Sequence, residues 1–139
     1  MREEPGRSGM KSLCRAALVL VVLVLPGAGC QRQAEGDRAV QVELKTEPDP
    51  PHVGKAVLRL LVTDSDGAPL EGAKLKLEGN MAHAGMKPVF ADASEEKGGR
   101  YRAEMEFTMG GDWFLLIDGR RADGRSFRKK IDVKGVKTD

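Results

Sequence analysis

Soft-metal donors are concentrated in one short stretch of this chain. Of its six methionines, Met1 and Met10 precede the first apolar run, and Met81, Met86, Met105 and Met109 fall within one 29-residue window. His83, one of two histidines, sits between Met81 and Met86. Thioether and imidazole are the donors that copper(I) favours. Met81, His83 and Met86 would place two thioethers and one imidazole within six residues. The small residues Ala82, Ala84 and Gly85 between them let the backbone turn tightly and aim the three inward. Met109 is a candidate fourth ligand, and Trp113 is a candidate cover for a bound cation through its ring face. Met105 is assigned to the core. The same residues also suit a loop that only packs, because methionine fills irregular gaps and contacts aromatic rings. They equally suit a loop that docks on another protein.

Other chemistries lack their parts. One loop histidine without cysteine or spaced carboxylates falls short of a zinc site. No nucleophile, base and orienting acid come together, which points away from an enzyme. No phosphate-binding loop or dinucleotide fingerprint is present. Asp64 and Asp66 beside Gly67 read as turn residues, since the other ligands of a calcium loop are missing. His52 follows the proline cluster 47–51 and reads as solvated.

The segment around 11–30 looks like an export and anchoring signal. Lys11 and Arg15 precede an apolar run at 16–25, of the length of a signal-peptide core and too short to span a membrane. Pro26-Gly27-Ala28-Gly29-Cys30 follows, which resembles a bacterial lipobox with Gly27 where leucine is preferred. The expectation is a signal peptide over 1–29, lipidation at Cys30, and a tether over 30–39. Gln31 resembles the outer-membrane sorting pattern of Gram-negative lipoproteins, with the domain facing the periplasm. Cys14 and Cys30 are the only cysteines, so the mature domain has no disulfide to form. Removing residues 1–29, with four basic and two acidic side chains, leaves 19 of each and no net charge. That balance gives no reason to expect a nucleic-acid partner.

From Val40 the pattern has period two, as half-buried strands require. Strands are expected over 40–45, 55–63, 73–78, 89–93, 101–109, 113–117 and 127–133, the one at 89–93 short and weak. Val57 and Leu61 make both faces of the second partly apolar, which suits a central strand. Turns are expected at 64–67, at Gly110-Gly111 as a two-residue hairpin, and at 122–124. Lysines and arginines on the last strand suit an exposed edge. The expected fold is all-β, an immunoglobulin-like sandwich of about seven antiparallel strands over 40–134, with a short tail at 135–139.

Three features carry a family resemblance. They are the strand and aspartate-glycine turn of 62–73, the methionine-containing loop after the third strand, and Gly99-Arg100-Tyr101 running to Met109-Gly110-Gly111-Asp112-Trp113. Together they resemble the YtkA-like family of small exported β-domains, related to the FixH group. The resemblance implies a role near copper-containing oxidases, which FixH-type proteins help to assemble. Those proteins use a membrane helix as anchor, whereas this chain is expected to use a lipid. The functional expectation is a lipid-anchored envelope protein that binds copper(I) for metal handling or oxidase assembly. Its partners would be the membrane, through the lipid, and a protein of copper export or oxidase assembly. The alternative is a non-metal accessory module of an envelope efflux or respiratory complex.

Overall fold

The computed structural model describes residues 38–138; the expected signal segment, Cys30 and most of the tether lie outside the described residues. Seven strands follow in chain order: β1 (Val40–Glu47), β2 (Gly54–Asp64), β3 (Lys74–Met81), β4 (Val89–Lys97), β5 (Arg100–Phe107), β6 (Gly111–Arg120) and β7 (Ser126–Val136). All pairings are antiparallel, in the order β1-β2-β5-β4-β3-β6-β7. The all-β sandwich read from the sequence is the fold observed.

β4 joins the two layers. Its first half pairs with β3, from Val89 opposite Gly79 to Ala93 opposite Leu75. Its second half pairs with β5 through Ser94 and Glu95, with a bulge before Lys97. One layer is therefore β1, β2 and β5, the other β3, β6 and β7, and β4 runs from one into the other. The changeover falls between Ala93 and Ser94, ahead of the bulge. This also accounts for the length of β4, nine residues rather than the five expected.

Alternation builds the core. Ala56, Leu58, Leu60 and Val62 of β2 face Tyr101, Ala103, Met105 and Phe107 of β5, Leu75 and Leu77 of β3, and Trp113, Leu115 and Ile117 of β6. β2 lies between β1 and β5, as its two-sided apolar pattern suggests. β7 is an edge strand, and Arg128, Lys130 and Lys134 lie on its exposed face, where Arg128 pairs with Asp118. Gly119 gives up its side-chain space to the buried Phe127 ring opposite it.

One expectation fails. Gly110-Gly111 is not a hairpin turn, because β5 and β6 do not pair. β5 bonds to β2 and β4, and β6 to β3 and β7, so residues 108–110 arch from one layer to the other. Strand β5 stops at Phe107, and Met109 lies on the arch instead of continuing the buried face. The apolar face of β6 gains more by packing opposite β5 across the core than beside it in one sheet.

The crossover from β2 to β3 is held by two side chains. Asp64 Oδ1 accepts from the N–H groups of Asp66 and Ala68, both at 2.9 Å, so the aspartates serve the turn. The Tyr101 hydroxyl donates to the Leu70 carbonyl at 2.7 Å and accepts from the Ala73 N–H at 3.0 Å. Burial pushes the phenol above its ordinary value. Tyr101→Phe leaves the Leu70 carbonyl and Ala73 N–H without this partner, and urea unfolding is expected to show a loss of about 1–3 kcal/mol.

Candidate functional site

The loop of 82–88 connects β3 to β4 at one end of the sandwich. It contains a β-turn in which the Met86 N–H donates to the His83 carbonyl at 3.4 Å. Gly85 holds φ +85° at the third position of that turn, where a side chain would be strained. His83 and Met86 are thus the two corners of one turn, within about 7 Å of each other. Met81 is the last residue of β3 and lies opposite Trp113 of β6. Its methyl group would come 3.2 Å from a Cβ placed at Gly111.

Met81 and Met86 are half-buried against the core, and His83 is exposed. Burial thus separates the two thioethers, packed against the core, from the imidazole, which faces solvent. Met109 is 40% exposed on the arch, and its carbonyl accepts from the Trp113 indole N–H at 2.9 Å. The arch and the 82–88 loop lie at the same end of the sandwich.

Trp113 is 1% exposed and meets Phe107 edge-to-face, ring centres 5.1 Å apart. A ring so enclosed has little face to offer an ion, and its work at this end is to hold the arch. Met105 is a core residue, 3% exposed. Its sulfur would come 2.9 Å from a Cβ at Gly79, and the Trp113 ring 3.4 Å, so that glycine makes room for both. Asp112 steadies the β6 start: it accepts from the Gly135 N–H at 3.0 Å and pairs with Lys134 at 3.1 Å. The Gly135 hydrogen bond, then Lys134, holds its carboxyl below the usual range.

His52 was not expected here. It lies in the β1–β2 connection at this same end, half-buried and bridged to Lys137 just past β7. Its local sequence gives no sign of that position, because the pairing joins residues 85 apart. The N-terminal end of β1 is at the far end of the sandwich, Val40 lying opposite Asp64. Among the described residues, no three His, Cys, Asp or Glu side chains form a metal-binding group. The loop end carries thioethers and imidazoles, with the Asp112 carboxylate engaged by Gly135 and Lys134.

A seven-stranded antiparallel sandwich with its loops gathered at the two ends is the architecture of small β-domains of the immunoglobulin-like kind. The chain belongs to the YtkA-like family, whose profile matches residues 34–118, from ahead of β1 into β6. That match carries no FixH-like assignment. In the fold the family resemblance has a physical basis, because segments 62–73 and 99–101 touch through Tyr101 and Gly99. Among solved structures, the chain is similar to a DUF4426 family protein from Pseudomonas aeruginosa PAO1. The TM-score is 0.52 at 11% identity, over 72% of this chain and 90% of that one, a likeness of fold alone. It also aligns with murine CRIg at a TM-score of 0.39 and 11% identity, over 71% of this chain and 98% of that one. No curated protein matches the sequence.

Proposed function

We propose that this YtkA-like protein is a lipid-anchored envelope protein that binds copper(I) at the loop end of its sandwich. Met81, Met86 and His83 are the primary ligands, and Met109 is the fourth. The observation that supports this reading is the placement of Met81 at the end of β3, His83 and Met86 on the loop that follows and Met109 on the arch, all at one end of the sandwich. Soft thioethers select a soft ion. Anchoring at Cys30 suits the geometry. The chain enters β1 at the opposite end, so the loop faces away from the anchored surface by one strand length, about 25–35 Å. Such a protein would hand its ion to, or receive it from, a partner of copper export or oxidase assembly.

The test is a competition titration against a copper(I) chelator, on the full chain in detergent with Cys14→Ser and Cys30→Ser so that no thiol competes. Binding tighter than micromolar is expected. Met81→Leu/Met86→Leu removes both sulfurs while keeping volume, and should weaken binding at least about 10-fold, or 1.4 kcal/mol. No binding tighter than micromolar, or an unchanged double variant, overturns the reading.

One observation favours a second reading, a protein-docking module. Val53, Phe90 and Met109 are the exposed large apolar residues among those described, and all lie toward the loop end. An unchanged affinity for copper in the double variant would leave this reading in place.

A further inference from the structure

The two flanks of the sandwich differ. On one, β4 passes from layer to layer and closes the side. On the other, β1 and β7 end the strand order, and a groove of about 230 Å³ between them is lined by Leu44, Thr46, Ile131 and Val133. Val42 and Leu44 alternate inward yet are only half-buried, while Val62 and Leu60 opposite them are fully buried. Exposed edges are ordinarily guarded by bulges, prolines or inward-pointing charges. β7 has such a guard in Lys129, which falls in its inward row between Phe127 and Ile131. β1 has none: it pairs with β2 over all eight residues without a register shift, and its inward row is Val40, Val42, Leu44 and Thr46. Its outward row is Gln41, Glu43, Lys45 and Glu47. Glu47 is paired with Arg59. Glu43 lies opposite Leu61 and Lys45 opposite Arg59, so neither meets an opposite charge across the β1–β2 pair.

We infer that two copies of this chain pair antiparallel along β1, about a two-fold axis at Leu44. That register sets Glu43 opposite the second copy's Lys45, Lys45 opposite its Glu43, Val42 opposite its Thr46, and Leu44 opposite its Leu44. A two-residue shift one way sets Glu43 opposite Glu43. The same shift the other way sets Lys45 opposite Lys45 and Glu43 opposite Glu47. A one-residue shift sets inward residues against outward ones. The charge-matched register also uses the whole of 41–47 and stops at Pro48, which has no N–H to donate. Because the same edge is used on both copies, the pair closes on itself. A single strand edge is small beside the about 1,200–2,000 Å² of standard interfaces, so the pair forms and parts with concentration. The two loop ends fall at opposite ends of the pair, and the inference is independent of the soft-metal reading. A pair held at one membrane would lie with β1 along the surface, so the outward-facing loop end of the proposed function belongs to the unpaired chain.

The test is sedimentation of the full chain in detergent, carrying Cys14→Ser and Cys30→Ser, at rising concentration. The mass is expected to move from one chain to two and no further. Lys45→Glu and Glu43→Lys each turn two attractive contacts repulsive and should weaken pairing about 10-fold. Glu43→Lys/Lys45→Glu makes the edges complementary again and should restore it. Both side chains are exposed, so the fold tolerates these changes. Association through detergent or the N-terminal segment is blind to such charges. Leu44→Cys, added to the cysteine-free chain, meets its own copy within disulfide reach and should cross-link under mild oxidation far faster than Gln41→Cys, which faces Glu47. A single chain at every concentration overturns the inference. So does pairing that ignores the single variants or is not restored by the double one, or Gln41→Cys cross-linking as fast as Leu44→Cys.

Discussion

Replacing Trp113 with alanine is expected to cost the sandwich about 3–5 kcal/mol, read as a lower urea midpoint at an unchanged denaturant slope. The ring is buried at the centre of the loop end, edge-on to Phe107 and over the space kept open by Gly79. Its loss removes the buried area, the aromatic pair and the donor that holds the Met109 carbonyl. Trp113→Phe separates these contributions. It keeps an aromatic ring and removes the N–H, so the cost should fall to about 1–2 kcal/mol, part hydrogen bond and part lost volume. If the indole N–H fixes the arch, amide exchange at residues 109–111 should quicken more in Trp113→Phe than exchange in β3 or β7. Equal quickening throughout would contradict that role.

Gly99→Ala is expected to be nearly as damaging, for a different reason. Gly99 has φ +71°, and a Cβ there would lie 2.7 Å from the Val62 carbonyl oxygen and 2.9 Å from Pro69 Cβ. Neither neighbour yields easily. The Val62 N–H donates to the Gly99 carbonyl at 2.9 Å, and the Val62 carbonyl accepts from Leu70 at 2.9 Å. Left-handed backbone strain of about 1–2 kcal/mol adds to about 1–3 kcal/mol of overpacking, about 2–5 kcal/mol together. Gly98 is the internal control. Its φ is +62°, and a Cβ there meets nothing within 4 Å, so Gly98→Ala should cost only about 1–2 kcal/mol. Equal thermal or urea midpoints for the two variants would show that the approach to Val62 is not tight.

What was legible in the sequence was local. Each strand face follows from alternation, and Leu58, Leu60, Tyr101, Phe107 and Leu115 are buried as their periodicity predicts. The turns at Asp64 and at 122–124 follow from their own side chains: Asp64 caps its turn, and Asp123 accepts from the Arg125 N–H at 3.0 Å. What was misread was pairing. Gly110-Gly111 between two apolar strands looks like a hairpin, yet the chain there changes layers. That choice depends on β3 and β7 being available to β6, which no local pattern records. The expected strand at 89–93 covers only the part of β4 that pairs with β3, and the part that pairs with β5 was not foreseen. At the candidate site, the turn of His83 and Met86 was legible from the small residues between them. The exposure of His83 and the approach of His52 were not, since they depend on where β6 and the end of β7 come to lie.

The most direct test of the soft-metal reading is X-ray absorption at the copper edge, on copper(I)-loaded full chain lacking both cysteines, after gel filtration. The account predicts that copper stays with the protein, with sulfur and nitrogen scatterers together in its coordination shell. Copper lost on the column, or a shell of oxygen and nitrogen without sulfur, would contradict it.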